Sequence, residues 1–330
     1  MEETGPVIIA REIAKGLKAS GMDVEIKTLN KTITGSSEGI PCSRFTLKDI
    51  LQLNKSDIVH SHTLRPDIIC GLISIFTQAK TVTTIHSFFE HALAFDYGVF
   101  KSKISYLLWS FFVNRIDKRV FISNAMQRYY KYKLKNESSY VIRNWRKSDC
   151  QIINPDERYI DFLNKNKNRT IVGFCGSLDE RKNILKLIEN IKGGMCLVII
   201  GDGHLKSNVL NMIEAKDNII YLGRKNNAHM YFSQFDALVL PSFAEGIPTV
   251  CIEAAMHGVP SIMSNIAVHR ELSKDGIGVT FNHKSFSDFN EKLSLTKSMS
   301  RDAIRDVWTN KYNGSLGIKK YRSLIKNDKN

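Results

Sequence analysis

The sequence predicts an α/β protein built from two parallel-sheet domains, and three observations carry that prediction. A chain of 330 residues is long for one hydrophobic core and comfortable for two. Short apolar runs alternate with helical patterns along most of its length, as in parallel strands joined by crossover helices. The stretch Asn164-Lys165-Asn166-Lys167-Asn168-Arg169 is polar and lacks any apolar period, and the alternation restarts after it. The expected layout is a first domain at 1–163, a linker at 164–169, a second domain at 170–310 and a helical tail at 311–330.

In order along the chain, apolar spacing near three to four predicts a helix over 7–19. Strands are predicted at 23–29, 58–61, 81–85, 119–122 and 140–142. In the second half they fall at 170–174, 196–200, 219–222, 237–240 and 261–263, with a helical pattern after nearly every one. Residues 301–326 read as helix throughout, and no internal repeat or low-complexity tract interrupts the chain.

Apolar content of 43% and charged content of 24% are those of a soluble globular protein. No apolar run approaches the roughly 20 residues needed to span a bilayer, and no N-terminal stretch reads as a signal peptide. The six cysteines, Cys42, Cys70, Cys150, Cys175, Cys196 and Cys251, show neither metal-ligand nor disulfide-framework spacing. They are expected to be buried free thiols in a reducing compartment, the cytoplasm. The net charge of +14 is concentrated: residues 101–147 hold twelve Lys or Arg against two acids, Asp117 and Glu137, with Tyr106, Trp109, Phe111, Phe112, Tyr129, Tyr130 and Tyr132 interleaved. Without a nucleic-acid motif beside it, this pattern points to an anionic membrane surface, and to peripheral attachment on the inner face of the plasma membrane, ahead of nucleic acid. A solvated face over a buried helix is the plain alternative.

The most informative segment is Pro241-Ser242-Phe243-Ala244-Glu245-Gly246-Ile247-Pro248-Thr249-Val250-Cys251-Ile252-Glu253-Ala254. A buried strand ends at Pro241, Glu245 follows in a loop, and Pro248 is expected at the first helical position, where its missing N–H costs nothing. The N–H groups of Thr249 and Val250 then point out of a helix end that favours anions. Glu253 lies one turn further in, on the same face. The segment offers a phosphate cradle between two carboxylates. Followed by Ala254-Ala255-Met256-His257-Gly258-Val259-Pro260, it resembles the signature of the retaining glycosyltransferases of family 4.

That resemblance implies the GT-B fold, two Rossmann-like domains facing each other across a cleft, with the helical tail at 311–330 crossing back to the first domain. It implies a nucleotide-sugar donor and a glycan or lipid-linked acceptor, with bacterial polysaccharide or lipopolysaccharide synthesis as the setting. It assigns Glu245 to the sugar hydroxyls and Glu253 to the ribose, with Gly246, Ile247, Pro248, Thr249 and Val250 lining the donor. Gly176-Ser177-Leu178-Asp179-Glu180-Arg181-Lys182 matches the family's glycine, arginine and lysine loop, in which two cations hold the donor diphosphate. Lys182 falls at the lysine, whereas Ser177 stands where the family has arginine, and Arg181 is the nearest compensating charge. Gly201-Asp202-Gly203 and Leu222-Gly223-Arg224 resemble turns that flank the nucleotide. In the first domain, His86 matches a histidine that faces the donor sugar; His60 and His62 match an architectural pattern. His60 and His62 have no carboxylate or cysteine cluster around them, so no metal is expected; the resemblance makes the nucleotide-sugar a substrate and implies no cofactor. In the family mechanism the leaving phosphate takes the acceptor's proton, so catalysis is assigned to Lys182, Glu245 and His86.

The family normally opens with a strand and a Gly-rich loop. Here Thr4-Gly5-Pro6 looks like the end of that loop, with Gly5 its remaining glycine and no strand before it. Removing a central strand would leave two open sheet edges, so coding sequence upstream of Met1 is expected, ahead of a rebuilt N-terminal sheet. Together with Ser177 this motivates two alternatives: a nucleotide-sugar-binding partner subunit with weakened catalysis, or a GT-B epimerase that needs no acceptor.

Overall fold

The computed structural model describes residues 5–29, 35–37, 39–90, 98–135, 138–146 and 156–326; Thr4, Glu137, Lys147 and Cys150 lie outside them. The chain forms two compact units. Residues 1–145 and 314–330 make the first, and residues 146–313 make the second.

The first unit starts with α1 (Gly5–Ala19), so Gly5 is already helical. Then come β1 (Ile26–Thr28), β2 (Gly35–Ser37), β3 (Ile40–Arg44), α2 (Leu47–Gln52), β4 (Ile58–His62), α3 (Leu64–Phe76) and β5 (Lys80–Ile85). It continues with α4 (Val99–Val113), β6 (Lys118–Phe121), α5 (Asn124–Tyr130) and β7 (Ser139–Val141). Strands β4-β5-β6-β7 form a parallel sheet in chain order, while β1, β3 and β2 form a separate small sheet. Among the described residues no strand joins β1 to β4, so the two sheets are separate. Buried Asp67 ties the layers together, accepting from Ser61 Oγ (2.7 Å), Thr83 Oγ1 (2.7 Å) and Trp109 Nε1 (2.9 Å).

The second unit holds α6 (Glu157–Lys165), β8 (Thr170–Cys175), α7 (Ile184–Asn190), β9 (Met195–Ile200), α8 (Lys206–Ile213), β10 (Ile219–Gly223) and β11 (Ala237–Leu240). It closes with α9 (Thr249–Met256), β12 (Ser261–Ser264), α10 (Ala267–Asp275), β13 (Gly278–Phe281), α11 (Phe289–Thr296) and α12 (Arg301–Val307). Its six strands pair in parallel in the order β10-β9-β8-β11-β12-β13. Every residue of β9 and β11 is buried, which is why both read as continuous apolar runs rather than alternating ones.

Two expectations are corrected. The polar stretch 164–169 lies inside the second unit: it ends α6 and turns into β8, with Asn166 buried and its Nδ2 donating to Phe162 O (2.9 Å). Its polarity marks a hydrogen-bonded turn; the chain crosses between units at Trp145-Arg146 and Asn313-Gly314. The tail is not one helix either. After α12 come a π turn, Trp308–Tyr312, and extended Asn313 (φ −74°, ψ 140°), and α13 (Gly314–Lys326) then belongs to the first unit. There Gly16 leaves room for Ile318 on α1, Gly317 for the Trp145 ring, and Tyr321 Oη meets Thr84 Oγ1 at 2.8 Å.

Candidate functional site

In the second sheet, connections run β8 to β9 to β10 on one side, and β11 to β12 to β13 on the other. Order therefore reverses between β8 and β11, and open α/β sheets bind ligands at the carboxyl ends of the strands that flank such a switch. The Gly176–Lys182 loop leaves β8 and the Pro241–Val250 segment leaves β11, so both predicted donor motifs stand at the switch point.

The β8, β9 and β10 loops are hydrogen-bonded in series. Leu178 N–H donates to Asp202 O (3.0 Å), Leu205 N–H to Leu178 O (3.0 Å) and Gly201 N–H to Gly223 O (2.9 Å). Gly201 sits at φ +147°, and a Cβ there would lie 1.8 Å from Gly176 O; one on Gly203 would lie 2.4 Å from Leu178 O. These glycines let two backbones touch, and that contact sets the height of the Gly176 loop. Arg224 is exposed just beyond β10.

Asp179 Oδ1 accepts the Lys182 N–H (2.9 Å) and so caps the short 3₁₀ turn Glu180–Lys182. The turn sends Lys182 Nζ onto Glu245 Oε1 at 2.5 Å. Arg181 reaches the other oxygen, with Nη1 3.6 Å from Glu245 Oε2, and donates to Ala244 O (3.1 Å). Ser177 instead turns to Asp179, donating from Oγ to Oδ2 at 2.5 Å. Side chains of Lys182 and Glu245 are 11% and 8% exposed. Burial alone would raise the Glu245 carboxyl, but the Lys182 and Arg181 charges outweigh it and hold the group below its ordinary value. The result is an ionised carboxylate with two cations converging on it. Arg181 is thus the cation that stands beside Lys182 on Glu245, whereas Ser177 supplies no charge there.

Pro248 is corrected from the first helical position to the N-cap of α9, because its ψ of 104° is extended. Thr249 and Val250 are therefore the first two helical residues, whose N–H groups have no acceptor within the helix. Gly246 and buried Ile247 lead into them. Glu253, one turn on, accepts from Arg146 Nε at 2.5 Å on Oε1. Sequence reading missed Arg146. It lies 107 residues from its partner, at the crossing between units, where its N–H also donates to Tyr312 O (3.4 Å). No local pattern encodes such a pairing.

The predicted histidines gather at the ends of β4 and β5. His62 Nδ1 and His86 Nε2 are 2.9 Å apart, and His60 Nε2 meets Thr84 Oγ1 at 2.8 Å. His86 is buried, and its Nδ1 has no hydrogen-bond partner among the described residues. Burial pushes His60 down to about 4 and His86 to about 3, with neighbouring imidazoles adding to the effect on His62 and His86. Below the ordinary value of about 6.5 the unfolded chain therefore binds protons that the folded unit refuses. Each pH unit of descent costs about 1.4 kcal/mol per imidazole until its folded value is reached. Asp67, pushed up to about 6 by burial despite its three donors, works in the opposite direction between about 4 and 6, one group against three. The first unit is expected to lose stability as pH falls from about 7 to 5; an unfolding midpoint that stays flat across that range refutes this.

Of the six cysteines, the five described are free thiols: four are buried, and burial pushes Cys175 up to about 12. No helix among the described residues is long and apolar enough to cross a membrane.

Glycosyl transferases group 1 matches residues 155–310, and Glycosyltransferase Family 4 matches residues 4–146, so the two families between them cover nearly the whole chain. The O-antigen biosynthesis glycosyltransferase WclY of Escherichia coli is 25% identical, spanning 99% of this chain and 96% of its own. Another Escherichia coli relative, UDP-Gal:alpha-D-GlcNAc-diphosphoundecaprenol alpha-1,3-galactosyltransferase, is 27% identical over 68% of this chain and 62% of its own. Among solved structures, Anabaena HepE in complex with UDP and glucose superposes with a TM-score of 0.78 at 14% identity, over 98% of this chain and 96% of that one. With two parallel-sheet units, a donor-type motif at the switch point and these matches, the chain belongs to the family 4 glycosyltransferases of the GT-B fold.

Proposed function

We propose that this glycosyltransferase moves a hexosyl group, with retention, from a nucleoside diphosphate donor to a glycan or lipid-linked acceptor of a bacterial surface polysaccharide such as O-antigen. The observation that carries the reading is the convergence of Lys182 and Arg181 on Glu245, beside the N-terminus of α9. Two cations and a helix end suit a diphosphate, whose leaving-group charge they would stabilise as the bond to the sugar breaks. The relatives support the chemistry: HepE was solved with UDP, and the galactosyltransferase is named for a UDP donor and an undecaprenol-linked acceptor.

In the proposed step the acceptor hydroxyl oxygen bonds to the anomeric carbon as the bond to the β-phosphate oxygen breaks. The hydroxyl proton passes to that departing phosphate. The protein holds reactants and charge in place, with Glu245 oriented to the sugar, Glu253 to the ribose, and no metal needed to balance the phosphate. His86 is assigned to the transfer step, so His86→Ala is expected to slow turnover and leave UDP affinity unchanged.

Calorimetric titration with UDP, GDP and ADP and their sugar conjugates tests the donor site. Binding of one nucleotide supports the reading and names the base; binding of none removes it. Ser177 favours a weakened partner subunit as the second reading, and Ser177→Arg separates the two. Because Arg181 already faces Glu245, the substitution is expected to leave turnover unchanged, whereas a marked rise would favour the weakened subunit.

A further inference from the structure

Helix α4 has two apolar faces, and the fold uses one. Ser102, Trp109 and Val113 are buried on the inner side. Phe100, Ile104, Leu107, Leu108 and Phe111 are all exposed, Phe100 by 77% and Leu107 by 65%. Single exposed hydrophobics are ordinary, but these five recur at helical spacing. At about 100° per residue they fall within an arc of about 100°, opposite the buried side, the width of a face meant to be covered. From Phe100 to Phe111 that stripe runs about 17 Å.

Its surroundings identify the cover. Lys101 and Lys103 flank the stripe and are exposed, and the Arg115 guanidinium stacks 3.5 Å over the Phe111 ring. The last turn of α3, tied to this end by Ser74 Oγ donating to Arg115 O, adds exposed Ile75 and Phe76. The turn after α5, tied by Lys135 N–H to Asn114 Oδ1 (2.8 Å), adds exposed Lys131, Tyr132 and Lys135. α4 itself carries no acid. Between residues 98 and 135 the single acid is Asp117, turned inward to the Thr81 N–H and hydroxyl at 2.8 and 2.9 Å.

We infer that the outward face of α4 is a docking surface for an anionic lipid bilayer. An apolar stripe edged by Lys and Arg and free of acid fits the boundary between headgroups and acyl chains. Phe100, Ile104, Leu107, Leu108 and Phe111 enter the acyl edge, and the cations meet lipid phosphates. A second copy of this chain would bring the same positive rim against itself, which disfavours self-association. The helix lies on the membrane and does not cross it. The inference stands apart from the donor site, so titration with UDP and binding to vesicles fail or succeed separately.

The experiment is flotation of the full chain with phosphatidylcholine vesicles, with and without phosphatidylglycerol. The wild type is expected to float with phosphatidylglycerol vesicles and to release as salt is raised. Ile104→Glu/Leu107→Glu is expected to reduce binding more than tenfold, and Lys101→Glu/Lys103→Glu by about fivefold or more per residue. All variants are at exposed positions and should keep the wild-type unfolding midpoint and UDP titration. No flotation of the wild type, or undiminished flotation of Ile104→Glu/Leu107→Glu, overturns the inference. So does a wild-type dimer in sedimentation that this variant converts to monomer without any vesicle binding, since the face then belongs to a second copy.

Discussion

Lys182→Ala is expected to lower kcat/KM by about 10²–10³-fold, the cost of removing one preorganised donor aimed at charge that develops in the transition state. It should also destabilise the second unit by about 3 kcal/mol, because it leaves the nearly buried Glu245 carboxylate with only the more distant Arg181. These two losses have different origins and can be separated. Lys182→Ala/Glu245→Ala removes the uncompensated charge, so its unfolding free energy should recover most of the way while its rate stays low. Glu245→Ala alone should lower turnover more than donor affinity, because the proposed role of Glu245 concerns the sugar. Steady-state kinetics and denaturant unfolding on the three proteins decide it. A Lys182→Ala rate within a few fold of wild type would remove this residue from the mechanism.

Glu253→Ala is expected to weaken UDP binding by about 10–100-fold, the range of a hydrogen bond to a charged group, with a smaller effect on turnover at saturating donor. Glu253 is held by Arg146 before any donor arrives, so its orientation is set in advance. Arg146→Ala should therefore also weaken UDP, by a smaller factor, through lost preorganisation. Calorimetry on both variants measures this. Equal and small effects from Glu253→Ala and Glu245→Ala would refute the division of labour between the two carboxylates.

What was legible in the sequence follows the range of the physics involved. Strands β9 and β11 were legible because they are buried on both faces, so apolar runs bounded by Gly or Pro mark them. The Gly176–Lys182 and Pro241–Glu253 segments could be singled out because their glycines, lysine and helix start fall at short spacing, and the sheet order then brings them together. Strand β13 escaped because it opens with Gly278, a position where a Cβ would lie 1.9 Å from Ser261 O on β12. A residue chosen for close strand approach looks like a strand breaker. Strands β2 and β3 escaped as short pieces of a small sheet with Gly39 between them. The 164–169 stretch misled because solvated turns and linkers share a composition, and only packing distinguishes them. Arg146 was invisible because its role depends on a partner brought close by the fold.

The path of the chain also bears on how the protein is made. The second unit is one uninterrupted stretch, complete once residue 313 has been synthesised. The first unit is interrupted. Its core includes Ile9, Val82, Val120 and Trp145, but also Tyr321, Leu324 and Ile325, contributed by the last helix. Domains generally fold in the order in which the ribosome delivers them. Here the unit whose translation starts first has to wait for residues 314–326, while the unit between its two parts can finish ahead of it. A nascent chain of this enzyme therefore keeps the core of its first unit open until α13 emerges to close a fold begun around α1.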